Sequence, residues 1–593
     1  MNNLEWNLND IFKNEEELEN AIQELYKLIE VINETKGKLA NNVDEVIKCY
    51  TTLDKALNLH EKIYAYAMLK YHKDMSNQES MKLYKRIEKI TAEFSEVESF
   101  ISPEMSKIDD NKLEKYLQND KLKSFEKIIR DIIKEKKHIL DEQVESALAK
   151  YSEVFSVSEN AYDVFTNAEF DYNDVKDENG NNLKMSEALY GKYMTKKDRI
   201  LRKNAYEEIC SIYKKYINTI TELYLSRVKY STITANLRGY KSSLDSATNK
   251  DDSNLEVYNT LLKSVNKNMK LIHEHMELKR EILNVDKLHL YDIYYNPLKK
   301  NDENLEYEKA KEIVLEALKP MGDDYVEQVK HGFENNWVDV YEKENKMTGG
   351  YNMGVYSVHP FILLNYMNTM RDASTIAHEF GHAMHSFYST KSQNYMNSNY
   401  TIMVAEVAST VNEILFANYL INNEKDEEKR NVLINDQLDL IRSTLIVQTL
   451  FSEFEKNVHE KIEQGIPLNS EELSNIYNEL LEKYYGDSTI IDENSKYTWA
   501  RIPHFYRCFY VYKYATGITA AIVIASKILS GEIGYVDRYK EMLSFGGSKD
   551  SLSLLKMVDV DLEKEETYDI AFKYFEKNLN ELKNSHKKHN NDI

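Results

Sequence analysis

Asp372–Phe387 reads DASTIAHEFGHAMHSF, and inside it lies His378-Glu379-Phe380-Gly381-His382, an H-E-x-x-H pattern. On a helix, residues four apart share a face, so the two imidazoles converge on one point. Glu379 is rotated by about 100° from His378, near enough to act on a metal-held water but too far round to complete a ligand set. Two nitrogen ligands, an open position and an adjacent base are the sequence form of a zinc hydrolase site. Asp372 or Ser374 is expected to cap the helix start, with Ile376, Ala377, Phe380 and Met384 on its apolar face. The competing reading, a solvated His/Glu helix face, makes the pattern a coincidence.

A hydrolytic zinc needs a third protein ligand. The pattern H-E-x-x-H-x-x-G-x-x-H requires Gly at 385 and His at 388, and the chain has His385 and Tyr388, which excludes that class. His385 lies roughly 4.5 Å further along the helix axis than His382, so it suits a supporting place better than a ligand's. Met403–Leu420, MVAEVASTVNEILFANYL, is apolar yet carries Glu406 and Glu413 two turns apart on one face. Such a helix buries two carboxylates only against a cation or hydrogen-bond donors. Glu406 is therefore the expected third ligand, with Glu413 supporting an imidazole or an arginine. Gly381 weakens the motif helix unless it admits a neighbouring backbone between the two histidines.

The 593 residues suffice for two or more lobes, and only six prolines and 17 glycines among them argue for long helices and a mainly α fold. With 99 acidic against 77 basic residues, a net charge of −22 speaks against a nucleic-acid partner. Cys49, Cys210 and Cys508 stand far apart, with neither a disulfide framework nor a C-x-x-C metal spacing. The opening MNNLEWNLNDIF has no secretory pattern, and the longest apolar run, Gly517–Ala525, is too short to cross a bilayer. The expectation is a cytoplasmic protein without a membrane partner, monomeric or a simple homo-oligomer.

Residues 1–185 read as an N-terminal helical lobe, with Tyr84, Ile87, Ile90, Phe94, Val97 and Ile101 forming one stripe up to a stop at Ser102-Pro103. The polar turn Asp177–Asn182, DENGNN, marks the expected boundary with a catalytic domain over 186–593. Residues 255–284 read as a helix pair, and His273 and His275, two apart, are expected to be exposed. GGYNMGVYSVHPFILL, residues 349–364, predicts a small irregular sheet just before the motif helix. Its edge can pair with an extended peptide backbone, which makes Gly350 a candidate substrate contact and His359 a structural residue. Trp499–Gly517, WARIPHFYRCFYVYKYATG, gathers His504, Tyr506, Tyr510, Tyr512 and Tyr514, whose hydroxyls or imidazole can donate to a tetrahedral oxyanion.

Several of these stretches together resemble the oligoendopeptidase F group of the thimet-oligopeptidase-like zinc metallopeptidases. They are WNLNDIF (Trp6–Phe12), LRGYKSSLD (Leu237–Asp245), HPFILLNY (His359–Tyr366), AHEFGHAMH, Glu406 within AEVAST, and RIPHFYRCFYVYKYATG. The resemblance implies a two-lobed helical body enclosing a deep channel and endopeptidase action on short, unstructured peptides. It implies one Zn2+ per chain on His378, His382 and Glu406, with Glu379 as base. It also places His504, and one or more of Tyr510, Tyr512 and Tyr514, at the substrate carbonyl. Two alternatives stay open. One is a metallocarboxypeptidase using Arg501 or Arg507 to hold a terminal carboxylate. The other is a non-catalytic helical peptide-binding protein with a structural metal, against which the intact Glu379 argues.

Overall fold

Asn14, Asn42 and Asn77 each accept the backbone N–H three residues on, and so start the helices Glu15–Asn33, Val43–Lys73 and Gln78–Glu98. Free of glycine and proline, these run 19, 31 and 21 residues. Ile87, Ile90 and Phe94 are buried along one face and join Leu18, Ile22, Leu25 and Tyr50 in a single core cluster. The third helix ends at Glu98, earlier than expected. Pro103 sits in the first turn of the next short helix, Ile101–Ser106, where its missing N–H has no intrahelical partner to lose.

This is a computed structural model in which residues 4–299 and 304–591 are described. Helices dominate, with three small sheets among the described residues. Contacts divide the chain into two compact units. The first comprises Met1–Lys137, Asp302–Tyr419 and Ile524–Val560; the second comprises His138–Asn301, Leu420–Val523 and Asp561–Ile593. The polar turn at 177–182 is the tip of an antiparallel hairpin, Val175–Lys176 with Asn182–Leu183, inside the second unit. Gly180 supplies the left-handed φ of 80° that this tip requires.

In the first unit, Phe361–Tyr366 is the centre of a three-stranded sheet, parallel to Val338–Tyr341 and antiparallel to Tyr351–Met353. Tyr351 pairs with Leu363 and Met353 with Phe361, leaving Tyr351–Met353 at the edge. The expected sheet before the motif helix is therefore present. Trp6 packs on Phe361 and Tyr351 and shares a buried cluster with Ala65, Leu69 and Val355, so the N-terminal stretch braces this sheet. Lys346 closes the loop between the strands. Its buried Nζ donates to Asp339 Oδ1 at 2.6 Å and to the carbonyls of Tyr341 and Leu364.

In the second unit, residues 255–284 form the expected pair, Leu255–Lys267 and Met269–Leu283. His275 is fully buried, edge-on to Phe575, and not exposed as its spacing from His273 suggests. Met269–Leu283 contacts both Ser470–Tyr485 and Glu565–Asn591, and a helix covered on two sides buries residues that point apart. Among the described residues no helix is long and apolar enough to cross a membrane.

Candidate metal centre and active site

The motif helix runs Met370–Ser392. Its N-cap is Thr369, three residues before Asp372. Thr369 Oγ1 accepts the Asp372 N–H and Asp372 Oδ2 accepts the Thr369 N–H at 2.9 Å, a reciprocal capping box. Asp372 and Ser374, expected as caps, thus lie within the helix, because the Thr369 hydroxyl reaches the first free N–H groups. Ala373, Ile376, Ala377, Phe380 and Met384 are buried and fix the helix rotation.

The second helix, Ile402–Asn423, crosses the first at Gly381. A Cβ built on Gly381 would lie 2.5 Å from Ser409 Cα and 2.6 Å from the Ala408 carbonyl. The two backbones touch midway between His378 and His382, and only glycine allows it. Asn412 secures the crossing, donating to the Ala377 carbonyl at 3.1 Å and accepting from the Tyr325 hydroxyl at 3.0 Å. Asn412 was not singled out from the sequence, although a lone amide on an apolar helix is a signal that it needs such partners.

This crossing sets Glu406 and Glu413 around the histidines. The His378 and His382 Nε2 atoms are 3.2 Å apart, and Glu406 Oε2 lies 3.8 Å from the first and 3.7 Å from the second. All three donors fall within 4.8 Å of one another. Glu413 Oε1 is 2.5 Å from His378 Nδ1, which places the proton there and leaves Nε2 for the centre. Burial works against a charged His378, but Glu413, Glu379 and Glu406 outweigh it and raise its pKa to about 9. Burial, with His378 alongside, takes His382 down to about 3.

Glu379 is only 5% exposed, and its Oε2 accepts no hydrogen bond from any described residue. Burial, with the Glu406 and Glu413 carboxylates, outweighs His378 and pushes its pKa up to about 7. A buried carboxylate oxygen without a partner, next to two imidazoles and a carboxylate that converge, fits a zinc ion carrying a water. His385 is buried and lies flat on Tyr400, ring centroids 3.5 Å apart, behind the ligands and not among them. A cavity of about 590 Å³ opens onto the centre, with Gly350 in its wall. A Cβ at Gly350 would stand 3.7 Å from Glu379 Oε1, so the chain leading into the edge strand passes beside the base.

The second unit holds the aromatic cluster. His504, Tyr510 and Tyr514 are half-buried and pack as a triangle, with ring centroids 6.1, 6.1 and 5.6 Å apart. Burial, and then Arg507, lower the His504 pKa, so this imidazole is neutral near pH 7. Tyr512 does not belong with them. It is fully buried against Tyr258, with its hydroxyl on Asp251 Oδ2 at 3.2 Å, which leaves no atom for a substrate. Tyr510 precedes the helix Tyr512–Leu529, and the turn after Phe509 brings its ring against Tyr514 while Tyr512 is turned into the core. Tyr506 is likewise core, its ring centroid 4.5 Å from that of Tyr162 with the planes tilted by 30°. Arg501 is engaged by Glu187 and lies over the Tyr190 ring, while Arg507 reaches Glu159 at 3.4 Å.

Residues 192–574 match the family model described as peptidase family M3, and residues 104–172 match the one described as oligopeptidase F. Oligopeptidase PepF of Bacillus subtilis is 37% identical over 578 residues, spanning 97% of this chain and 86% of that protein. The crystal structure of oligoendopeptidase-F from Enterococcus faecium covers 97% of this chain and 99% of its own, at 31% identity and a TM-score of 0.75. The crystal structure of a protein from Chlamydophila abortus, also 31% identical, covers 99% and 98% with a TM-score of 0.93. The chain belongs to peptidase family M3, in its oligoendopeptidase F group, and is a metalloendopeptidase of that family.

Proposed function

We propose that the chain is a zinc-dependent endopeptidase for short, unstructured oligopeptides, with one Zn2+ held by His378, His382 and Glu406. When bound, zinc would lower the pKa of a water from about 15.7 toward about 7 and polarise the scissile carbonyl. Glu379 accepts the proton of the attacking water on its unpartnered oxygen and hands it to the leaving amine. Glu413 holds the His378 Nδ1 proton, which keeps the ring turned toward the ion. Gly350 and the edge strand after it receive the substrate backbone, and the resemblance to the oligoendopeptidase F group supports His504, Tyr510 and Tyr514 as the donors to the developing oxyanion. The two family matches fall on either side of residue 185, which supports 1–185 as an N-terminal helical region and 186–593 as the catalytic region in sequence, although residues 138–185 pack in the same compact unit as 186–301. A cytoplasmic setting, and a monomer or simple homo-oligomer, complete the proposal.

The observation that carries the mechanism is the orphaned, buried Glu379 oxygen beside the converging donors. A purely structural metal site has no use for it. The exopeptidase alternative is weakened because both of its candidate cations are already engaged, Arg501 by Glu187 and Arg507 by Glu159. Glu379→Gln tests the scheme. It should bind zinc at one equivalent by metal analysis, yet lose about 10³-fold or more in kcat on an end-blocked peptide. Wild-type turnover in that variant would remove Glu379 as the base.

A further inference from the structure

The cavity beside the metal centre extends well past it. His378, His382, Ser386 and Thr390 all line it, one face of the motif helix followed for a rise of about 18 Å. At its other end Glu61, from the helix Val43–Lys73, enters the wall. Glu61 Oε2 accepts the Tyr356 N–H at 2.7 Å and Oε1 accepts the Tyr395 hydroxyl at 3.3 Å. These bonds locate it. The Tyr356 hydroxyl donates to the carbonyl of Gln393, the C-cap residue of the motif helix, and Tyr395 lies two residues further on. Glu61 therefore stands toward the C-terminal end of the motif helix, beyond the two histidines near its middle.

This carboxylate has no cation of its own. Among the described residues no basic side chain forms an ion pair with it, and only its sequence neighbour Lys62 acts on it at longer range. Burial pushes its pKa up to about 6, so it is ionised at neutral pH while still poorly solvated. Two tyrosine rings, Tyr356 and Tyr395, meet edge to face at 5.6 Å beside it. A half-buried carboxylate bordered by aromatic rings, inside a peptide cavity, is suited to receive a positive charge.

We propose that Glu61 is a specificity-determining residue that binds an ammonium or guanidinium group carried about four to five residues from the scissile bond. The spacing follows from the helix. Gln393 lies about 16 Å beyond His382, and an extended peptide advances about 3.3 Å per residue. The charge can come from a lysine or arginine side chain or from the free amino terminus of a short peptide. This subsite rests on the peptidase reading of the metal centre.

The test uses the zinc-loaded full chain and fluorogenic peptides that differ only by Lys or Gln at each of positions two to six from the cleaved bond. A second arm compares free and acetylated amino termini placed at the same distances. Wild type should favour the charged member by about five- to tenfold in kcat/KM at one position, four or five residues away. In Glu61→Gln that ratio should fall to near one, and in Glu61→Lys an acidic residue should be preferred there. A Glu61-dependent preference in either arm supports the subsite and identifies the source of the charge. Cleavage with charge ratios that Glu61→Gln leaves unchanged overturns it while the peptidase reading stands. If the variants do not fold, a wild-type scan with no charge preference from position three to six overturns it equally. Failure of the zinc-loaded wild type to cleave any peptide overturns both.

Discussion

The metal centre and the His504–Tyr510–Tyr514 cluster are both small sets of polar side chains, but they are held in different ways. The first hangs on two long regular helices, Met370–Ser392 and Ile402–Asn423, where a spacing of four or seven residues is already a direction in space. The second hangs on the 3-10 turns Glu493–Arg501 and Pro503–Tyr506, a kink at Phe509 with φ of 58°, and only then a helix, Tyr512–Leu529. That kink is fixed by a residue far away in sequence. Glu455, on the helix Val447–Glu463, accepts the Phe509 N–H at 2.8 Å. In the first region spacing determines placement; in the second a tertiary hydrogen bond does.

The largest effect should come from breaking the helix crossing without touching a ligand. In Gly381→Val the new side chain meets Ser409 and Ala408 at non-physical distances, so the two helices must part and Glu406 must leave the histidines. Zinc affinity, measured by chelator competition, is expected to fall by about 100-fold, with a smaller loss for Gly381→Ala. Wild-type affinity in Gly381→Val would mean that the crossing does not set the ligand geometry.

What the sequence made legible follows the same division. The ligand face, the third ligand's helix and the close approach at Gly381 could all be anticipated, because each depends only on helical period and on residue size. The edge strand next to the base was also legible, from the glycines and β-branched residues of 349–364. The cap at Thr369 was not, since several hydroxyl and carboxylate residues crowd that end and only the backbone trace selects one. Nor was the burial of His275, which depends on which two helices cover its own. The DENGNN turn signalled a chain reversal correctly, yet a hairpin tip and a lobe boundary use the same residues.

An intermediate effect separates the tyrosines and tests the placement that the turn after Phe509 gives them. Tyr510→Phe and Tyr514→Phe should each reduce kcat by about 10- to 100-fold with little change in KM, the signature of a donor used mainly in the transition state. Tyr512→Phe removes a hydroxyl bonded to Asp251 in the core. It should leave kcat within about threefold and lower the melting temperature slightly. Equal kinetic losses in all three would contradict the separation of half-buried Tyr510 and Tyr514 from the buried Tyr512.

The smallest effect lies beneath the cluster. Glu455 is fully buried, its Oε2 has no partner among the described residues, and burial raises its pKa to about 8, against which the Phe509 N–H and Lys513 work. An unfolded chain holds this carboxyl near its ordinary value of about 4.5, so between that pH and about 8 the folded protein binds the extra proton. Stability from this group is fully present below the lower value and is lost as pH rises through the upper one. Glu455→Gln keeps an oxygen for the Phe509 N–H and cannot ionise. Its melting temperature relative to wild type should therefore rise by about 1–3 °C between pH 5 and pH 9, with kcat preserved because the kink at Phe509 is preserved. Glu455→Leu removes the acceptor as well, leaving a buried N–H unpaired beside a left-handed residue. A fall in kcat in Glu455→Leu that is absent in Glu455→Gln would show that this one hydrogen bond positions the aromatic cluster. Equal kcat in both variants would show that the turns hold their shape without it.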